Sequence, residues 1–185
     1  MDKTEYYHVV SDLPKSVGQQ IILDEEHPNG VYRRVYAQLD TVQAIYRHPE
    51  QYRGRKLSHE VDVALRELAL EKVRKEKFPR YPSRMACLYV SRTFEEAAQW
   101  GDYFASLGRP TYGVARINAD GRYYEGDAGK CFDGTVSEED NLKMAEEYWL
   151  NGPNEDGREP IAEILVSGKI TIVEIIKEIN ANLPE

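Results

Sequence analysis

Four histidines, His8, His27, His48 and His59, stand in the first third of the chain without the close spacing that would bring two of them to one metal ion. Cys87 and Cys131 are 44 residues apart, with no CxxC and no histidine pair nearby. They read as two free thiols in a reducing compartment rather than as a zinc site. Cys87, inside the apolar run MACLYV, reads as a small buried hydrophobe. No G-x-S-x-G elbow, H-E-x-x-H helix, G-x-G-x-x-G turn or G-x-x-x-x-G-K-[ST] loop occurs, so the common nucleophile, zinc and phosphate-cradling devices are missing. Most Asp and Glu residues fall on helix faces, where solvation is their ordinary state. Three groups remain that fall within extended segments: His8, Tyr89, and Glu163, which interrupts the apolar run IAEILV. A buried carboxylate is costly without a partner, so Glu163 asks for an explanation. Taken singly, each has an ordinary structural reading: a satisfied core histidine, a core aromatic, and a strand residue turned to solvent.

The elements that must position these groups belong to one domain, since 185 residues suit a single core. The mean hydropathy of −0.63 is low, but 19 aromatic residues, 13 of them tyrosine, supply bulk for a core and argue against disorder. The longest apolar runs reach four or five residues, far short of the ~20 that a membrane span needs. The opening MDKTEYYHVV holds no apolar segment long enough for a signal peptide. The expectation is a cytoplasmic chain with no membrane partner. The net charge of −8 disfavours indiscriminate nucleic-acid binding. Between Arg47 and Arg84, however, 11 basic residues face 6 acidic ones. That segment either faces an anion, such as a dinucleotide or a nucleic-acid backbone, or is a solvated helix laced with i,i+4 pairs of Glu67 and Glu71 with Arg66, Lys72, Arg74 and Lys75.

Residues 5–10, EYYHVV, form a first strand, and a turn and a short extended piece follow through DLPKSVGQQIIL. HPNG at 27–30 breaks the chain. Val31, Val35, Leu39, Val42 and Ile45 recur at helical spacing and predict one amphipathic helix over 31–47. A second helix opens near Ser58 and ends before Pro79, so that 31–77 form a helical insertion. FPRYPSR is an ordered loop and MACLYVS, 85–91, a buried strand. Thr93 caps a helix that ends at Gly108. TYGVARI and RYYEGD are strands joined by a hairpin-type turn at NADG. Ser137 caps a helix ending at NGP, and IAEILVSGKITIVEII reads as two strands meeting at Ser167-Gly168. Short strands with segregated helices make the fold α+β rather than a doubly wound sheet.

In this order the pieces resemble ADP-ribosyltransferases. Tyr7-His8 in a first strand, followed by a Leu-Pro turn, is similar to their opening motif. LYVSRTFEEAAQWG resembles the strand-helix unit of rifamycin-modifying members, with an aromatic on the strand and an Ala97 to Gly101 run. AEILVSG and PRYPSRM resemble the acidic strand and a proline-arginine-serine segment of DNA-modifying toxins of the DarT kind. The resemblance implies a split β-sandwich of two small sheets over residues 1–185, with NAD bound as substrate in the cleft between them and no Rossmann turn. It implies that His8 bonds the nicotinamide ribose and amide through its two ring nitrogens, that Tyr89 stacks on the nicotinamide ring, and that Glu163 bonds the ribose 2′-hydroxyl. Glu163 would also steady the charge that builds as nicotinamide leaves, and orient or deprotonate the acceptor. Arg80 and Arg84 become candidates for the pyrophosphate.

Val9-Val10 stand where many members have a small residue and then Thr, so a hydroxyl contact to the adenosine side is missing. Rifamycin-modifying members place their acid later, which makes Glu125 and Asp127 rivals to Glu163. The acceptor is left open among nucleic acid, held through segment 47–84, protein and small molecule. A non-catalytic binding or inhibitor module on the same fold, and an NAD glycohydrolase toxin with water as acceptor, are the competing readings.

Overall fold

The computed structural model describes residues 4–179 as five α-helices against two antiparallel sheets. The strands are β1 (Thr4–Ser11), β2 (Gln20–Leu23), β3 (Leu88–Val90), β4 (Thr111–Asp120), β5 (Tyr123–Asp127), β6 (Ala162–Val166) and β7 (Gly168–Glu178). The helices are α1 (Gly30–Tyr36), α2 (Leu39–Arg47), α3 (His59–Lys77), α4 (Phe94–Ser106) and α5 (Glu138–Leu150). One sheet has the order β1-β4-β7-β2 and the other β3-β6-β5.

The two sheets share one long ribbon. β4 runs on into β5, and β6 into β7. Asp120↔Lys169 is the last pair in the first sheet and Tyr123↔Val166 the first in the second, so both chains advance equally and the register is kept. Between them the ribbon kinks where two glycines meet. A Cβ on Gly121 would lie 2.2 Å from the Ser167 carbonyl oxygen, and one on Gly168, whose φ is +85°, would lie 2.4 Å from that of Asp120. Glycine alone permits both the approach and that backbone conformation. The expected hairpin at NADG is therefore corrected: β4 and β5 lie in different sheets and do not pair. Each finds its partner in the 162–178 segment, whose Ile164, Leu165, Val166, Ile170 and Ile172 are all buried. A turn sequence predicts a reversal only when its flanking strands have no better partner.

Elsewhere a single backbone bridge joins the sheets. The Tyr7 amide donates to Ser91 O (3.0 Å) and the Ser91 amide to Tyr7 O (2.8 Å). No further ladder bonds join β1 to β3. Both sheets contribute to one apolar cluster that includes Tyr6, Val10, Val90, Ile117, Ile164 and Ile172. Helices α3 and α5 cover the three-stranded sheet through Leu70, Val73, Tyr148, Trp149 and Leu165. α4 lies on β1 and β4 through Ala97, Val9 and Val114.

The expected helix ends at Ser58, Thr93 and Ser137 are made by side-chain caps onto Val61, Glu96 and Asp140. The single helix expected over 31–47 is instead two, broken at Ala37-Gln38. The break lets Val35 and the Val42 and Ile45 pair reach one apolar cluster from two axes. The strand expected over 85–91 shortens to Leu88–Val90. Ahead of it the Asn29 side-chain amide takes the carbonyls of Arg84 (2.9 Å) and Cys87 (3.0 Å), which turns that backbone out of the ladder.

Gly121→Ala and Gly168→Ala are each expected to lower stability by about 2–4 kcal/mol, from clash and backbone strain together. Gly152→Ala, with nothing within 4 Å of its added Cβ, should change little. Urea unfolding midpoints check this.

Candidate active site

Arg84, on the loop between α3 and β3, is 6% exposed, and its guanidinium N–H groups all meet acceptors. Nε donates to Glu67 Oε2 (3.0 Å), and Nη1 donates to both Glu163 Oε1 (2.6 Å) and Tyr148 Oη (2.6 Å). Nη2 donates more loosely to Glu67 Oε1 (3.4 Å) and Cys131 Sγ (3.8 Å). The Tyr148 hydroxyl donates in turn to Glu163 Oε1 (2.6 Å). The guanidinium also lies over the rings of Tyr148 (5.0 Å) and Tyr89 (5.4 Å). Glu67, on α3, completes an alternating row by accepting from Arg66 Nε at 3.1 Å. Burial works against the charge of Arg84, but the neighbouring Tyr89, Glu67 and Glu163 more than offset it and hold its pKa high. Burial would raise Glu67, yet Arg84 and Arg66 keep it below the usual carboxylate range.

The histidine enters from β1. His8 Nδ1 lies 2.9 Å from the main-chain oxygen of Tyr89. A carbonyl only accepts, so Nδ1 carries the hydrogen and Nε2 is left as an acceptor. Burial pushes the imidazole down to about 4, against the opposing pull of the Tyr89 carbonyl, so the ring is neutral at pH 7. The implied use of both ring nitrogens on a ligand is corrected by this bond, which leaves Nε2 alone. Among the described residues, Asn118 Oδ1 is the one buried side-chain polar atom without a partner. His8 Nε2 and Glu163 Oε2 also have no partner among the described residues, and neither is a fully buried atom. Tyr89 is 38% exposed, although its surroundings disfavour ionisation of the phenol.

His8, Tyr89, Arg84 and Glu163 thus stand in one chain of contacts, across the place where β1 and β3 are joined by a single bridge. Arg80 stays outside it, exposed and without a partner among the described residues. The rival acids serve other ends. Glu125 is bound to Arg92 through both carboxylate oxygens. Asp127 is fully buried and accepts from Arg158, Asn154 and the amides of Gly129 and Ile161. Burial would raise its pKa, but Arg158 and those donors hold it below the usual range. With its lone pairs committed, Asp127 ties the 128–161 segment to β5.

The reading of 47–84 as a solvated, i,i+4-laced helix is corrected in part, and its excess charge is largely matched. Glu67, Glu71 and Arg74 are buried along the stripe that begins with Ala64. Arg74 bonds Glu71 and Glu25, Lys72 pairs with Glu138 and Lys77 with Glu146. Tyr148 and Trp149 pack in the core, and the Tyr148 hydroxyl that reaches Glu163 was not foreseen. Nor were Glu67, Arg66 and Cys131. The signal available for Glu67 was its place on the apolar side of α3. Burial raises the Cys131 thiol, which makes it a poor nucleophile at neutral pH. A hollow of about 530 Å³ lies apart from these groups, at the glycine kink, lined by Glu25, Arg74, Arg122 and Ser167. Among the described residues no group of His, Cys, Asp and Glu is placed to hold a metal ion, and no helix is long and apolar enough to cross a membrane.

Arg84→Met would leave Glu163 without its counter-ion and Glu67 with Arg66 alone, and is expected to cost about 3–5 kcal/mol in denaturant unfolding. For His8, the folded pKa lies below the ordinary 6.5. Its contribution to stability is therefore present above pH 6.5 and is lost as pH falls towards about 4. An imidazole NMR titration should show that midpoint, and His8→Gln should flatten the stability profile across that window.

One family profile, described as "Protein of unknown function (DUF2441)", matches residues 6–178. No curated protein matches the chain.

Proposed function

Because the chain belongs to the DUF2441 family, whose description assigns no chemistry, the site itself must carry the reading, and we propose that this protein is an NAD-dependent ADP-ribosyltransferase on a split two-sheet fold. The supporting observation is the contact chain from His8 through Tyr89 and Arg84 to Glu163. It joins groups far apart in sequence at a gap between two sheets, and leaves one open acceptor on the imidazole and one on the carboxylate.

The residues suit the nicotinamide riboside end of NAD. His8 Nε2 accepts from a ribose hydroxyl or the carboxamide N–H. Tyr89 offers a flat, partly exposed ring for stacking. Glu163 Oε2 accepts from the 2′-hydroxyl while Oε1 stays fastened by Arg84 and Tyr148, so the carboxylate is oriented before substrate arrives. In the reaction the C1′–N bond breaks with its electron pair passing to the nicotinamide ring. The acceptor's oxygen or nitrogen bonds to C1′, and its proton goes to Glu163 or to water. Arg84 does not suit the pyrophosphate role, since its donors are all in use inside the protein.

A second reading draws on the same arrangement. Glu163 already has a counter-charge in Arg84, which favours a binding module that keeps the fold without the chemistry. Nicotinamide release separates the two. Purified protein should release nicotinamide from NAD, and Glu163→Gln should reduce that rate by about 10²–10³ while leaving NAD affinity within about tenfold. Full activity in the variant would overturn the assignment of Glu163. Binding of NAD with no release by the wild type would establish the second reading. A labelled acceptor then distinguishes transfer from hydrolysis.

A further inference from the structure

Resting on the nucleotide reading above, we propose that the diphosphate of the dinucleotide is held by Lys15, on the turn that follows β1, and Arg109, on the loop between α4 and β4, and not by Arg80 or Arg84. Arg84 has no free donor, and Arg80 touches none of the groups around His8. Arg109 is built for the task. Its Nε and Nη2 are fastened to Asp12 Oδ1 (3.1 Å) and Oδ2 (2.6 Å), and its guanidinium lies 4.8 Å from the Phe104 ring centroid. One edge and one face are therefore fixed, while Nη1 and the second Nη2 hydrogen meet no acceptor among the described residues. An oriented guanidinium edge with two parallel donors is the geometry that phosphate oxygens take.

The turn carrying Asp12 is itself held. Asp12 sits at φ 65°, its amide donates to Pro110 O (2.9 Å), and the Leu13 amide donates to Ser11 O (2.8 Å). Ser11 pairs with Thr111, so Asp12 and Arg109 occupy the same end of the β1–β4 ladder. Lys15, half-buried on this turn, has no hydrogen-bond or ion-pair partner among the described residues. His8 lies three residues before Ser11 on the same strand, about 10 Å away. In a dinucleotide one ribose separates the nicotinamide from the diphosphate, a span of the same order as that strand interval. Lys15 and Arg109 are also near enough to His8 to oppose its protonation, and Arg34 joins them in the field around Asp12. Three cations thus surround one carboxylate.

Calorimetric titrations of wild type, Lys15→Gln, Arg109→Gln and Arg80→Gln with ADP-ribose, inorganic pyrophosphate and nicotinamide riboside test the site. The expected result is a loss of about tenfold to a hundredfold in affinity for ADP-ribose and pyrophosphate in the Lys15 and Arg109 variants. Nicotinamide riboside binding and the melting temperature should not change, and Arg80→Gln should behave as wild type. The proposal is overturned if wild type binds neither diphosphate probe at millimolar concentration, or if both variants bind them normally. It is equally overturned if nicotinamide riboside weakens in step with ADP-ribose, which would mark a structural role. Diphosphate binding that depends on Lys15 and Arg109, in a protein that releases no nicotinamide from NAD, would uphold this site and count against the transferase reading alone.

Discussion

A guanidinium buried between two carboxylates is expensive to assemble and more expensive to disturb, and the pairing of Arg84 with Glu67 and Glu163 sets terms for everything near it. Removing those charges from water costs several kcal/mol for each ion, so all the partners must arrive together. α3 supplies Glu67, β6 supplies Glu163, α5 supplies Tyr148, and the loop after α3 supplies the arginine. The neighbouring Glu71, held by Arg74 and by the Ser83 hydroxyl at 2.8 Å, repeats the device one turn along α3. A helix, a sheet and a loop are thereby locked in one relative position, which apolar contact alone would leave freer to slide.

The sheets contribute a second constraint. Their shared ribbon bends at Gly121 and Gly168 without losing register, so the two halves are mechanically one piece on that side. On the other side the main chains of β1 and the end of β3 are bridged once, at Tyr7 and Ser91. The result is an arrangement paired in register through the kink and bridged once at the join. At that join the carbonyl of Tyr89 binds a histidine ring instead of a strand amide, and this choice settles the tautomer. A neutral ring with an outward acceptor differs chemically from an imidazolium, and it is main-chain geometry that selects between them.

The electrostatic bookkeeping also changes on folding. The basic excess of residues 47–84 invites a reading as a polyanion surface, yet Arg66, Lys72, Arg74, Lys77 and Arg84 all turn to carboxylates, four of which, Glu25, Glu138, Glu146 and Glu163, come from outside the segment. Among the described residues, cations without an acid remain inside the segment, Arg80 among them, and also outside it, as at Lys15.

Helix ends were legible from sequence because a cap is a local contract between a side chain and an amide three residues on, as at Ser58, Thr93 and Ser137. The strand around His8, the α+β class and the isolation of Glu163 among apolar residues were legible for the same reason: alternation and burial leave a short-range imprint. Strand pairing was not, since the NADG turn looks like a hairpin until the 162–178 segment competes for both its arms. Nor could sequence tell that Arg84 spends its donors inward while Arg109 keeps an edge free, or that Tyr148 aims its hydroxyl at Glu163. Those outcomes depend on which charges meet in space, and the chain brings them together from positions as distant as 67, 84, 148 and 163.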